Sequence, residues 1–236
     1  MLIKNVIKKL SMKAKNDSDL AIQLHDYVRD NIYFGFTYNF DQASITYTLE
    51  RLLGHCNPKS ALLTALFNEA GFEAYQHFIV LKKQLLKGCI PFSIYTLLPK
   101  IISHSITDVR LNSSWYSIDS YVIDPVLFHS IQNRLKIKKQ AIGFGSYTKA
   151  TCIWDGKRSA FSQAGETSLL VEDHGRMTDV NDYYRSSLYK NRVLGKHMNY
   201  WLRLIGPFGV IWEKHINSVI HQLREKYRAS HPSKNL

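Results

Sequence analysis

"GHCNPKSALLTALFNEAGFEA", residues 54–74, is the stretch on which the fold turns. Leu62, Leu63, Leu66 and Phe67 recur at helical spacing, and Gly71 supplies the stop, so the segment predicts a helix from about Cys56. A structural cysteine belongs on that apolar stripe. Cys56 instead stands at the helix mouth, before Asn57-Pro58, where the first N–H groups and the helix dipole favour a thiolate. A nucleophilic thiolate needs an imidazole beside it, and the imidazole needs an orienting carboxylate.

The hairpin that follows offers both. "SHSITDVRL" and "WYSIDSYV" read as two strands around the turn "NSS", with His104 on the first and Asp119 on the second. A turn centred on Leu111-Asn112 sets them directly opposite. One centred on Asn112-Ser113 sets them a diagonal step apart. Either register leaves them on one face, because strand side chains alternate with period two. The carboxylate can then fix the imidazole tautomer, with the cysteine helix expected on that same sheet face. Replacing Asp119 by Asn should on this reading cost rate rather than folding.

Further along the chain, Asp17 or Ser18 can cap a first helix carrying Leu20, Leu24, Val28 and Ile32. "ASITYTLERLL" reads as a short helix stopped by Gly54, "EAYQHFIVLKK" as a strand, and "DPVLFHSIQNRL" as a helix with Pro125 at its first position. Residues 181–230 look largely helical, interrupted near Gly206-Pro207. Helices first, then strands, then helices favour an α+β fold with an antiparallel sheet. The expected division is a basic N-terminal segment, 1–15, a catalytic domain, 16–155, and a mostly helical basic C-terminal extension, 156–236.

The 236 residues carry a net charge of +12. Residues 1–15 contribute +5 and residues 181–236 contribute +7, so the centre is neutral and the basicity is terminal. Such termini suit an acidic partner or an anionic membrane surface, and equally a solvated helix face; no specific nucleic-acid partner is expected. Cys56, Cys89 and Cys152 are too few and too scattered for a disulfide framework or a zinc site. A reducing, cytoplasmic setting follows, without cofactor or metal. The lysine-broken start lacks an apolar signal core, and no run of about 18 apolar residues occurs.

Residues 54–74 resemble the cysteine motif of the transglutaminase-like superfamily: G-x-C, small residues along the helix, then A-G-hydrophobic-x-A. "HSITDVRLNSSWYSID" resembles its His–Asp block, with Asp108, Val109, Trp115 and Asp119 in place and Ile106 where the family often has Trp. The resemblance covers about residues 20–125. It implies a papain-like core in which Cys56 is the nucleophile, His104 the base and acid, and Asp119 the orienter. It implies acyl transfer on a protein or peptide through a thioester, with hydrolysis as protease or deamidase first and transfer to an amine second. The alternative is a noncatalytic transglutaminase-like module that grips an acidic partner or membrane with its basic termini.

Other residues compete for parts of this site. His55 adjoins Cys56 but its ring is expected to point elsewhere. Asp124 in "IDP" could replace Asp119, although a helix cap explains it better. The Cys56 N–H is the expected first oxyanion donor, with Asn39 or Gln42 as candidate side-chain donors. Residues 126–236 carry no motif that constrains the substrate.

Overall fold

The computed structural model describes residues 2–232. Its helices are α1 (Leu2–Ser11), α2 (Asp17–Asn31), α3 (Ile45–Arg51), α4 (Cys56–Glu69), α5 (Phe92–Leu97), α6 (Pro125–Lys138), α7 (Val180–Arg185), α8 (Met198–Leu204), α9 (Gly209–Ile216) and α10 (Ser218–Ser230). The main sheet has four strands, β1 (Ala74–Lys82), β2 (Ile101–Leu111), β3 (Ser114–Ile118) and β4 (Leu170–Met177), in the order β3-β2-β1-β4 and antiparallel throughout. Two-residue ladders join Tyr33–Phe34 to Leu53–Gly54 and close the turns at 142–147 and 192–197. This is a mixed helix-and-sheet architecture with an antiparallel sheet, as an α+β domain requires.

The cysteine helix is central because its stripe is wholly internal. Leu62, Leu63, Leu66 and Phe67 are fully buried between the sheet and α2, each contributing about 1.5–3 kcal/mol by burial. A charged residue of the same helix joins them. Lys59 is also fully buried, and its Nζ donates to the carbonyls of Ile32 at 2.5 Å and Val122 at 2.9 Å. Burial pulls its ammonium down to about 7, against the pull of Asp124.

The cap details differ from the sequence expectation. Asn16, not Asp17 or Ser18, caps α2, its side chain accepting from the Asp19 N–H. Leu52, in a left-handed conformation at φ 50°, ends α3 before Gly54 is reached. Asp124 is indeed the cap of α6, accepting from the Leu127 N–H at 3.1 Å. The hairpin turn is Asn112-Ser113, both at positive φ, which sets Thr107 opposite Ile118 and makes His104 and Asp119 diagonal neighbours.

Residues 156–232 do more than append helices. They supply β4, whose "LVEDHGRM" is too acidic and too exposed to read as a strand, and which lies at the sheet edge where one face stays wet. The basic start of the chain forms α1, whose Ile3, Val6, Ile7 and Leu10 pack on the core while its lysines face solvent. The apolar residues of the C-terminal helices divide between core and solvent. Ile216, Ile220, Leu223 and Tyr227 are buried, whereas Phe208 and Ile211 remain exposed. Arg224 anchors this docking, with Nη2 at 2.5 Å from Asp124 Oδ2 and 2.7 Å from the Phe34 carbonyl. No helix among the described residues is long and apolar enough to cross a membrane.

Candidate active site

Cys56 is the first residue of α4, and His55 before it makes no side-chain cap. Pro58 has no N–H, so the first turn presents the amides of Cys56 and Asn57. The thiol is half-buried. Cys89 and Cys152 are buried in the core, where desolvation pushes their thiols up to about 12 and about 11.

His104 and Asp119 are buried and meet as the hairpin parity requires, Nε2 lying 3.0 Å from Oδ2. With Nε2–H given to Asp119, Nδ1 is the nitrogen left for the sulfur of Cys56. Burial alone would push the imidazolium down. The charge and hydrogen bond of Cys56, together with the bond and charge of Asp119, outweigh it and hold the ring well above the ordinary histidine value.

The helix does not reach His104 across the expected face. Register sets His104 on the face of Ile79 and Ile106, whereas Thr107, which meets Ser60 of α4 at 3.1 Å, points the other way. β3 covers β2 only from Thr107 to Leu111, leaving the edge of Ile101–Ile106 open. α4 comes to that edge, Ser60 Oγ donating to the Ile106 carbonyl at 3.0 Å. Asn191 closes it further along, accepting from the Ser103 N–H at 2.9 Å and donating to the Ser103 carbonyl at 3.2 Å. Thiol and imidazole therefore meet at a strand edge.

Asp119 is held from its other side by a loop that no sequence pattern connects with it. Its carboxylate accepts the backbone N–H groups of Ser162 at 2.5 Å, Gln163 at 3.2 Å and Ala164 at 2.9 Å. Asp124, its competitor in sequence, is committed to the α6 cap and to Arg224.

A second buried carboxylate lies on the far side of Cys56. Asp41 accepts from His55 Nε2 at 2.6 Å, Asn57 Nδ2 at 2.6 Å, Asn191 Nδ2 at 2.9 Å and the Tyr189 hydroxyl. Burial works to raise its carboxyl, and these partners, His55 foremost, hold it below the ordinary value. Asp41 lies in the same loop as the candidate donors Asn39 and Gln42, with no sequence pattern to single it out. Of those, Asn39 gives its carbonyl to Asn199, and Gln42 accepts from Arg203 at 2.7 Å; neither lines the cleft.

The cleft is a cavity of about 50 Å³ whose polar wall comprises His55, Cys56, Ser103, His104, Gln163 and Asn191. Its remaining walls are apolar, among them Phe36, Leu85, Ile90, Leu98, Met198 and Ile216. No group of three or more metal-ligating side chains occurs among the described residues.

The superfamily model matches residues 4–120, a range that contains Cys56, His104, Asp119 and Asp41 but neither the 162–164 loop nor Tyr189 and Asn191. No curated protein matches the chain. A solved structure described as "Crystal structure of a TGase" is 20% identical over 50% of this chain, with a TM-score of 0.36; the match spans about 30% of that structure's length. Residues 4–120 of this protein belong to the transglutaminase-like superfamily.

Proposed function

We propose that this protein is a cysteine-dependent acyl-transfer enzyme with a papain-like arrangement of Cys56, His104 and Asp119, acting on an amide or peptide bond. The observation that carries the reading is the imidazole of His104, bound to Asp119 at 3.0 Å through one nitrogen and partnered by the thiol of Cys56. The Cys56 thiolate attacks the carbonyl carbon, the C–S bond forms, and the carbonyl π pair moves to oxygen. On collapse the C–N bond breaks, and His104 protonates the leaving amine. Water then resolves the thioester, giving up its proton to His104; an amine in place of water gives transfer. Asp119 keeps the ring oriented and stabilises its cationic form. Hydrolysis of a protein or peptide substrate is the first choice and amine transfer the second.

Limited alkylation with iodoacetamide near neutral pH, followed by peptide mapping, tests the assignment. Cys56 should be labelled first, because it is half-buried at a helix mouth while the other two thiols are buried in the core. Equal or faster labelling of Cys89 or Cys152 would remove the thiolate from the reading. Comparison of cleaved or deamidated proteins between active enzyme and Cys56→Ala identifies the substrate.

A further inference from the structure

The cavity beside Cys56 has a one-sided chemistry. Most of its wall is apolar, including Phe34, Phe36, Leu85, Ile90, Leu98 and Ile216, and among the described residues no Lys, Arg, Asp or Glu side chain lines it. The polar side chains in the wall are engaged elsewhere. Ser103 Oγ accepts from the Lys190 N–H at 2.8 Å and meets the Tyr183 hydroxyl at 2.8 Å. Asn191 is bound to Ser103 through its amide oxygen, and to Ser103 and Asp41 through its amide nitrogen. Gln163 Nε2 donates to the Gly145 carbonyl at 2.7 Å. His55 is bound to the Asp41 carboxylate, and that pair has no net positive charge in either form of the ring.

A charged group entering this space leaves water without gaining an ion-pair partner from the wall, which is costly. An aliphatic group has no such cost, and its burial is favourable. Size sets a second limit. The cavity measures about 50 Å³, and at about 10–15 Å³ for each water-sized group it holds roughly three to five carbon atoms. Position sets a third. Cys56 lines the cavity, and once the amine has departed the acyl group is what remains on its sulfur.

We propose that this cavity is the acyl-side subsite, and that the substrate fills it with an uncharged aliphatic group of roughly three to five carbons. In a peptide, that group is the side chain of a valine, leucine or isoleucine that gives the attacked carbonyl. The inference rests on the acyl-transfer reading above. Two segments set the fit. Leu85, Ile90 and Leu98 come from the chain between β1 and β2, while Met198 opens α8 and Ile216 closes α9.

The p-nitrophenyl esters of straight-chain acids, from acetate to octanoate, test this on the intact protein. The Cys56 thiolate attacks the ester carbonyl, the C–S bond forms, the C–O bond breaks, and p-nitrophenolate leaves with the electron pair. Each rate of Cys56 acylation is divided by the rate of the same ester with free glutathione, which removes the ester's own reactivity. The quotient should rise about fourfold for each methylene from acetate to pentanoate, the worth of one buried methylene, and should stop rising before octanoate. Met198→Ala widens the wall and should carry the rise to longer chains. A quotient that is flat or falls from acetate, one that still rises through octanoate, or a Met198→Ala series identical to that of wild type overturns the subsite and leaves the acyl-transfer reading standing. If Met198→Ala does not fold, the wild-type series decides alone. A wild-type protein that is alkylated by iodoacetamide at Cys56 but acylated by none of the esters overturns that reading and this inference with it.

Discussion

Asp119 and Asp41 each hold a histidine on one side of Cys56, at 3.0 and 2.6 Å, and each is buried. Their support differs in kind. Asp119 is fixed by three backbone N–H groups of one loop, residues 162–164, so the side chains of that loop matter less than its path. Asp41 is fixed by side chains from α4 and from the 189–191 segment, each replaceable on its own. The second nitrogens differ as well: His104 gives its own to the thiol, while His55 keeps its own unpaired. A carboxylate held by backbone concentrates its sensitivity in itself. One held by side chains spreads that sensitivity over its donors.

The largest effect should come from Asp119→Asn. Losing the orienting carboxylate should slow acyl transfer on the order of ten- to a thousand-fold, less than in a serine triad because a thiolate depends less on the third residue. The expectation that folding would be spared does not survive the geometry. An amide in this place turns an N–H₂ toward a backbone N–H and leaves a donor unsatisfied, for about 1–3 kcal/mol of stability. Urea unfolding read beside single-turnover acylation checks both parts, and a variant of unchanged stability would show that the 162–164 loop adapts.

Asp124 supplies a reference carboxylate of equal burial with no histidine, paired to Arg224 at 2.5 Å. Arg224→Leu removes the ion-pair partner of that buried charge and should cost about 3–5 kcal/mol, seen as a fall in Tm. Burial raises the Asp124 carboxyl, and Arg224 foremost, with Lys59 and the Phe34 N–H, more than reverses this, so its folded pKa lies below the unfolded 3.8. The stabilisation is complete above pH 3.8 and is lost as pH falls through the lower folded value. Tm should therefore drop more steeply below pH 3.8 in wild type than in Arg224→Leu. Parallel acid limbs would mean that the pair contributes no linkage.

Tyr189→Phe removes one of four donors to Asp41 and should slow acylation less than Asp119→Asn does, at a cost in stability of about 1.5–3 kcal/mol as a hydrogen bond to a charged group. Alkylation of Cys56 should be unaffected. If Tyr189→Phe were as damaging to acylation as Asp119→Asn, sensitivity would not be shared among the donors, and the contrast between the two supports would fail.

Elements under short-range constraint were legible in the residues. The apolar stripe of residues 62–67, the stop at Gly71, Cys56 at the helix mouth, Pro125 opening α6, and the shared face of His104 and Asp119 all follow from periods of 3.6 and 2 within some twenty residues. What closes around them was set by long-range contacts. The turn at Asn112-Ser113 selected one of two registers that the alternation rule leaves equivalent. The open edge of β2, and not a sheet face, became the meeting place of thiol and imidazole because β3 stops short. Residues 162–164 reach Asp119, and Tyr189 and Asn191 reach Asp41, across separations over which no periodic pattern operates; such contacts depend on the path of the chain, and the burial of a carboxylate fixes them only once several donors have converged on it.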